Sequence, residues 1–417
     1  MGDGRTKRGT GVKNPGFSEM VSSMFGGDAG KRPGGAHARL QRRTRLKGEL
    51  YLPALWPAVL LTLYGLVVVW SASLSISDAS LPRQLLGVAL GLAAALILWR
   101  YDYRDLANYT TALLVLDIVL WALPLVPGLG YSAKGMSGWI QVPGIGLRVQ
   151  PSEIMKLVTI YYMAGLGAQY NGRIGSFREY CKLCGMLLVP FVLLLTQDLG
   201  TSLVVLVAGA AIIICAGARK EWVIPTILLI VVGAGLVVWQ SVAAMEADGI
   251  GLLKAYQVKR LIVFVDPSVD PSGDGYNLQQ AKIAVGSGGL FGKGIGNASQ
   301  AGGGFLPEAH TDFVFALLAE EFGFLGVVLL LGLFAWLLFA TVALAQKMES
   351  PFAKLVLVGV VAMWSFQLLE NVGMCTGIMP ITGIPLPFIS YGASSMVVQL
   401  TAVGMVQSVY RHRTKAA

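Results

Sequence analysis

Residues 322–345 read FGFLGVVLLLGLFAWLLFATVALA, a run of 24 residues without a charged side chain. At 1.5 Å per residue such a helix spans about 36 Å, enough to cross the roughly 30 Å hydrocarbon core of a bilayer. With the segment leading into it, the window runs over 312–345. Nine comparable windows flank it: 52–73, 84–100, 108–127, 152–169, 179–196, 199–216, 221–241, 353–374 and 388–410. The whole chain shares this character. Its 417 residues are 55% hydrophobic and 13% charged, with a mean hydropathy of +0.65. A soluble surface carries about twice that share of charge. The 52 glycines and 18 prolines suit membrane helices, which tolerate both. The reading is an all-α polytopic membrane protein with ten transmembrane helices. Disorder, a coiled coil and a disulfide scaffold are excluded.

The charge distribution orients the chain. Residues 1–50 hold 11 Lys/Arg against four Asp/Glu, and residues 411–417 add three bases and no acid, within a net charge of +9. A basic tail suits nucleic acid, but here the positive-inside rule accounts for it: both termini are expected in the cytoplasm, with no nucleic-acid partner. An even number of crossings agrees. So do the bases of the short links, among them Arg100, Arg173, Arg219, Lys220 and Lys354, which fall on the same side. The Gly-rich segment 1–50 reads as a disordered tail without a signal-peptide pattern, 51–410 as the membrane domain and 411–417 as a second basic tail. Three loops then face outward: 128–150, 242–311 and 375–387. The second is a long extracytoplasmic loop between helices 7 and 8, about 70 residues, far beyond an ordinary connector. Its apolar stretches Leu261–Val265 and Leu278–Val285 are candidate helices lying at the membrane surface.

Ionisable residues in a membrane are costly and are functional candidates by default. Sorted by side, they cluster at the outer face. Arg148, Glu153 and Lys156 surround the start of span four, with Pro151 placed to open that helix. Glu153 and Lys156 are three apart and share a face; an internal ion pair with a snorkelling lysine is the plain alternative. Asp198 lies in Gln197-Asp198-Leu199-Gly200-Thr201-Ser202, where a helix-cap role competes with a functional one. The long loop carries Asp266-Pro267-Ser268-Val269-Asp270-Pro271-Ser272-Gly273-Asp274-Gly275-Tyr276, which by itself is ordinary turn chemistry and lacks EF-hand spacing. Phe305-Leu306-Pro307-Glu308-Ala309-His310-Thr311-Asp312-Phe313 leads into span eight, and Glu320 and Glu321 follow two turns inside it. That pair needs a partner, for which Lys156 or Arg148 is the expectation. One histidine outside the tails leaves no zinc site. Cys181 and Cys184, an isolated C-x-x-C, read as structural. Gly292-Lys293-Gly294-Ile295-Gly296 matches no nucleotide-binding loop.

Together these motifs resemble the SEDS family, the shape, elongation, division and sporulation proteins of bacteria. The resemblance rests on Trp139 with Arg148-Val149-Gln150-Pro151-Ser152-Glu153, on Asp198-Leu199-Gly200-Thr201-Ser202, on Asp270 to Tyr276 and on Phe305 to Phe313. It continues in Gly383-Ile384-Pro385-Leu386-Pro387-Phe388-Ile389-Ser390-Tyr391-Gly392, and it covers residues 51–410 in order. Phe315-Ala316-Leu317-Leu318-Ala319-Glu320-Glu321, Asn371-Val372-Gly373-Met374 and Met379 to Pro385 resemble the elongation branch, RodA, more than FtsW or SpoVE. The chain departs from the pattern at Gly138, Thr196-Gln197, Asp274, Glu370 and Ala393. Gly138 stands where an arginine is usual, which weakens or relocates a phosphate contact; the other changes are expected to leave the catalytic positions untouched.

The resemblance implies a peptidoglycan glycosyltransferase of the bacterial cytoplasmic membrane. It would polymerise lipid II at the outer face, for elongation and shape, and release undecaprenyl pyrophosphate. Asp270 is then the base that takes the proton of the acceptor hydroxyl. Arg148 and Lys156 meet the leaving pyrophosphate, with Glu153 orienting Lys156. Gln150, Asp198, Glu308, His310, Asp312, Glu320, Glu321 and Ser390 are expected to support the site. A divalent cation, Mg²⁺ or Mn²⁺, would share the charge neutralisation, with ligands unassigned; no organic cofactor is implied. The expected partners are a class B penicillin-binding protein, since the chain lacks a transpeptidase Ser-x-x-Lys with Lys-Thr-Gly, and other proteins of the wall-synthesis complex. Two other classes compete: a lipid II flippase, disfavoured because its charges would sit near the midplane, and a non-catalytic scaffold, which has no need of Asp270.

Overall fold

Local chemistry sets where the helices begin and stop. In the computed structural model, which describes residues 50–133, 136–141, 148–246 and 255–413, prolines open α1 (Leu52–Ser75), α2 (Leu81–Arg100), α4 (Pro151–Ala168) and α11 (Pro351–Thr376). Proline is tolerated there because first-turn N–H groups have no intrahelical acceptor. Between α2 and α4, α3 (Thr110–Ala122) tightens into a single turn at Pro124. A Ser176–Glu179 capping box starts α5 (Phe177–Leu195), and Asp198 caps α6 (Leu199–Cys215). Then come α7 (Lys220–Glu246), α8 (Ala255–Val265), α9 (Asp274–Ser287), α10 (Val314–Gln346), α11 and α12 (Ala393–Arg411).

Every one of the sequence windows falls on a helix. Six helical runs are long and apolar enough to cross a membrane among the described residues: α1, α2, Tyr103–Leu125, α7, α10 and α11. The helices α4, α5, α6 and α12 have 17 to 19 residues and are shorter or more polar. The chain is a multi-pass membrane protein. The two basic tails lie almost wholly outside the described residues, as do parts of the loops 128–150 and 242–311. Loop 128–150, read from the sequence only as an outward-facing loop, pairs β1 (Gly130–Ala133), β2 (Met136–Gln141) and β3 (Arg148–Val149) into an antiparallel sheet. Two expectations are corrected. The last helix starts at Ala393, not at 388, because Pro385 and Pro387 deny the preceding segment a helical ladder. The long apolar window is broken at Gly323.

Packing makes α4 the hub. Nearly all of its residues are buried, against α3, α5, α6, α11 and α12. At the seam of α2 and α12, a side chain on Gly87 would meet Ala393 Cα at 2.7 Å, and one on Gly404 would meet Ala95 Cα at 2.6 Å. Small residues let these backbones touch, the usual device where lipid removes the hydrophobic drive between helices. By contrast α7 presents Ile227, Leu228, Leu229, Val231 and Trp239 outward, and its apolar window has no buried residue, so its environment is lipid. The chain enters and leaves the bundle at one end. Tyr51 N–H donates to Gln407 Oε1 at 2.7 Å, Gln407 Nε2 donates to the Tyr51 carbonyl at 3.1 Å, and Ser408 Oγ donates to the Tyr101 carbonyl at 2.7 Å.

The break in α10 is held by its neighbours. Gly323 takes φ +63, a conformation closed to most side chains. The freed carbonyls of Glu320 and Glu321 accept N–H bonds from Lys293 (2.9 Å) and Gly294 (3.0 Å), and Phe324 and Leu325 donate to the carbonyls of Gly289 and Leu290. Glu320 Oε1 accepts from Lys293 Nζ (2.5 Å), from the Ser299 N–H and Oγ (2.9 Å each) and from the Gln300 N–H (3.1 Å). Glu321 Oε1 accepts from Ser71 Oγ (2.5 Å) and the Gly296 N–H (3.2 Å). Lys156, expected as a partner of the Glu-Glu pair, is instead on Glu153, because the Gly-rich stretch 288–300 folds back onto the kink and brings nearer donors; the side chain of Arg148, the other candidate, lies outside the described residues. The Glu320→Ala change strands the Lys293 ammonium and the part-buried N–H groups of Ser299 and Gln300. We expect it to cost about 2–4 kcal/mol and to lower the thermal midpoint in detergent well below that of Glu320→Gln; equal midpoints would refute the anchoring role.

Candidate active site

Between α8 and α9 the chain makes two tight turns. Asp266 opens the first, its Oδ1 accepting the Ser268 N–H at 3.0 Å. Asp270 closes the second, its carbonyl accepting the N–H of Tyr276 at 3.3 Å. Its carboxylate is then fixed at both oxygens: Oδ2 accepts the Asp274 N–H at 2.7 Å, and Oδ1 meets Lys259 Nζ at 3.0 Å. Gly273 makes the room, because a β-carbon there would lie 2.3 Å from Asp270 Oδ2. The Lys259 ammonium, outweighing the opposing effect of burial, holds Asp270 below the ordinary aspartate value of 3.8. Asp270 is therefore a carboxylate at neutral pH. The Lys259 side chain is 47% exposed and that of Asp270 only 9%.

Arg260, the next residue on α8, ties this loop to the rest of the site. Its Nε lies 3.6 Å from Asp274 Oδ2 and its Nη1 donates to the Thr382 carbonyl at 3.2 Å. The segment 382–392 is where the other motifs meet. Asn371 Nδ2 donates at 2.8 Å to the carbonyls of both Asp312 and Ile384. Ser390 Oγ donates to the Thr311 carbonyl at 2.7 Å and accepts the Leu386 N–H at 2.8 Å. Tyr391 N–H donates to the His310 carbonyl at 2.9 Å, with the two rings 5.4 Å apart. Gln84 on α2 donates to the Ser390 carbonyl and accepts the Gly392 N–H. Gly200, in the first turn of α6, packs against Thr382 and Ile384. Beside it, Asp198 accepts from Thr201 Oγ1 at 2.6 Å and from Gln150 Nε2 at 3.3 Å, and the Gln150 N–H reaches Ser394 Oγ.

The structure thus gathers Gln150, Asp198, His310, Asp312 and Ser390 around 382–392, at the end of the bundle opposite Tyr51 and Gln407, and joins Asp270 to them through Asp274 and Arg260. Asp198 is a helix cap as well as a Gln150 partner. Glu308 sits apart as a turn residue with φ +55, its Oε2 accepting from Thr311 Oγ1. Glu320 and Glu321 belong to the kink. Glu153 and Lys156 pair at 2.7 Å, both side chains 2–3% exposed. Lys156 was expected to face a leaving group, yet here it is enclosed, because α4 is surrounded on all sides. Arg148 has its backbone on β3, and its side chain lies outside the described residues. Asp274, expected to leave the catalytic positions untouched, instead binds Asp270 through its N–H and Arg260 through its carboxylate. Two residues escaped the sequence reading. Lys259 was one of two adjacent bases one helical stretch ahead of the Asp-Pro turns. Asp117, buried on α3 and accepting from Thr159 Oγ1 at 2.9 Å, was a lone charge in an apolar run.

Among the described residues no three Asp, Glu, His or Cys side chains converge on a cation. Both oxygens of Asp270 are already taken. The divalent ion that the resemblance implies finds no protein cage among the described residues.

Comparison with known proteins places this geometry. The model of the FtsW/RodA/SpoVE family, described as cell cycle proteins, matches residues 53–415. The chain is 34% identical over 373 residues to a probable peptidoglycan glycosyltransferase FtsW of Trichlorobacter lovleyi, covering 87% of this chain and 93% of that one. It is 36% identical over 365 residues to the stage V sporulation protein E of Bacillus subtilis, covering 85% and 95%. Among solved structures, a chain of a peptidoglycan synthase complex that coordinates polymerization and crosslinking superposes with a TM-score of 0.70 at 31% identity, covering 89% of this chain and all of that one. The rod shape determining protein RodA of Thermus thermophilus gives 0.62 at 28%, covering 87% and 97%. With the motifs gathered at one end of a bundle that these proteins share, the chain belongs to the SEDS family of FtsW, RodA and SpoVE.

Proposed function

We propose that this chain is a peptidoglycan glycosyltransferase that polymerises lipid II into glycan strands at the outer face of the cytoplasmic membrane. The observation that carries the reading is Asp270: an ionised carboxylate held by two fixed contacts on a loop beside the converging helix ends, in a SEDS-family chain. The acceptor hydroxyl attacks C1 of the donor sugar. A C–O bond forms there as the bond from C1 to the pyrophosphate oxygen breaks. The hydroxyl proton passes to Asp270, and undecaprenyl pyrophosphate leaves with the bonding electron pair. Cations at the site offset the charge that develops on the leaving group. Arg148 and Lys156 are assigned to that task, with Glu153 orienting Lys156; Lys156 reaches a substrate only if the packing around α4 opens.

In this reading ten helices cross the membrane, and the segment carrying Asp270 is extracytoplasmic. That both described ends meet at one end of the bundle supports an even number of crossings. Cysteines introduced at Leu50 and Arg413 are expected to resist an impermeant thiol reagent applied outside intact cells; labelling of either would reverse the orientation. A class B penicillin-binding protein is the inferred partner, in line with the similarity to a chain of a synthase complex. The elongation role rests on Ala319 and the segments 371–374 and 379–385. Loss of the chain should round its cells, and filamentous cells would assign it to division.

The central test is polymerisation of labelled lipid II by purified protein with its transpeptidase partner, in detergent, where no transport can be scored. Asp270→Asn is expected to lower product at least about 100-fold while the protein stays folded. Gly273→Ala, which pushes only the end of the Asp270 side chain, should lower it about 10–100-fold with an unchanged thermal midpoint. Wild-type rates from Asp270→Asn would remove the base.

A further inference from the structure

The cations near the candidate site are not equivalent. Lys156 is enclosed with Glu153, Arg260 is tied to Asp274 and to the Thr382 carbonyl, and Lys293 is bound to Glu320 and Ser299. Lys259 differs. Its side chain is 47% exposed, and it meets the Asp270 carboxylate at 3.0 Å. A half-exposed ion pair is weak and exchanges partners readily, and a lysine is a compact point charge on a flexible stem. The other oxygen of Asp270 has its own partner, the Asp274 N–H at 2.7 Å. Among the described residues, the charged groups facing Asp270 are Lys259 from α8 and, across the same turns, Asp274 with its partner Arg260; Asp266 is turned to Ser268.

This arrangement poses a chemical problem for a base. An ammonium bonded to the carboxylate weakens its pull on a proton and occupies the lone pair the acceptor hydroxyl must meet. We propose that Lys259 is a transferable cation: it holds Asp270 in the substrate-free protein and moves to the diphosphate of the donor lipid when that binds, so that one event frees the base and neutralises the leaving group. The inference rests on the reading of Asp270 as the base. It makes Lys259 a diphosphate-binding and positioning residue. It also couples donor occupancy to proton abstraction, since without a diphosphate to receive Lys259 the carboxylate stays covered.

The consequence is a competition that can be measured without turnover. Binding of undecaprenyl pyrophosphate is compared in the wild type, Asp270→Asn, Lys259→Met and the double variant. Asp270→Asn should bind about 3–10-fold more tightly than wild type, because Lys259 no longer has a carboxylate to leave. Lys259→Met should bind more weakly by a similar factor, the double variant should match Lys259→Met, and Lys259→Arg should stay close to wild type. In polymerisation, Lys259→Met should raise KM for lipid II more than it lowers kcat. An Asp270→Asn variant no tighter than wild type, a double variant as tight as Asp270→Asn, or a Lys259→Met variant that loses kcat at unchanged affinity would each overturn the proposal. Failure of the base reading is separate: it appears as wild-type polymerisation by Asp270→Asn, whatever the binding series gives.

Discussion

A chain inside a lipid slab must satisfy every backbone N–H and C=O from within the protein, and wherever this fold leaves the helix it does so with a side chain assigned to the task. At the kink of α10, Glu320 collects the donors of the returning stretch, while main-chain bonds from Lys293 and Gly294 take over carbonyls that the broken ladder abandoned. At 382–392, Asn371, Ser390 and Gln84 perform the same service for a segment that prolines keep from coiling. The candidate site depends on this second solution. The irregular segment is the surface against which Asp198, Asp312, Arg260 and, through Arg260, the Asp270 loop are located.

The two ion pairs of the site illustrate opposite uses of charge. Glu153 and Lys156 sit on a helix enclosed by five others, where an uncompensated charge would be prohibitive, so neither partner can move without the other. In the other pair Lys259 is half exposed, so solvent receives its ammonium on separation, while Asp270 keeps the Asp274 N–H. A pair that cannot open suits geometry; a pair that opens easily suits exchange with a charged ligand. One fixed and one reversible pair at the same end of the bundle give the site both a reference frame and a responsive element.

Much of this was legible in the sequence because lipid leaves few choices. Windows of apolar residues became helices, Pro151 and Asp198 became helix starts, and the motif segments from spans four, six, eight and ten met at one end. Partnerships were less legible. Glu320 and Glu321 were paired in thought with distant bases, since only folding shows that a Gly-rich stretch doubles back beside them. Lys156 was placed inside its helix, but depth along the axis says nothing of what encircles it, so its enclosure with Glu153 was not legible. Lys259 gave no periodic or motif signal; its importance lies in a contact across eleven residues and two turns. The short strands of 130–149 were missed because a two-residue strand has no alternation to detect.

The seam between α2 and α12 also bears on how such a protein comes into being. Helices enter the membrane in the order of synthesis, yet the last one fits between partners made near the start, touching Gly87 and Ala95 with almost no clearance and bonding Tyr51 through Gln407. Until the ribosome has released α12, that groove stands open to lipid and the first helices lack a neighbour they are shaped for. Closure is therefore a late, long-range event, slow by the logic of loop entropy and exposed to mispairing in the interval. A nascent chain that stalls before α12 emerges would be a bundle without its keystone, a natural substrate for membrane quality control.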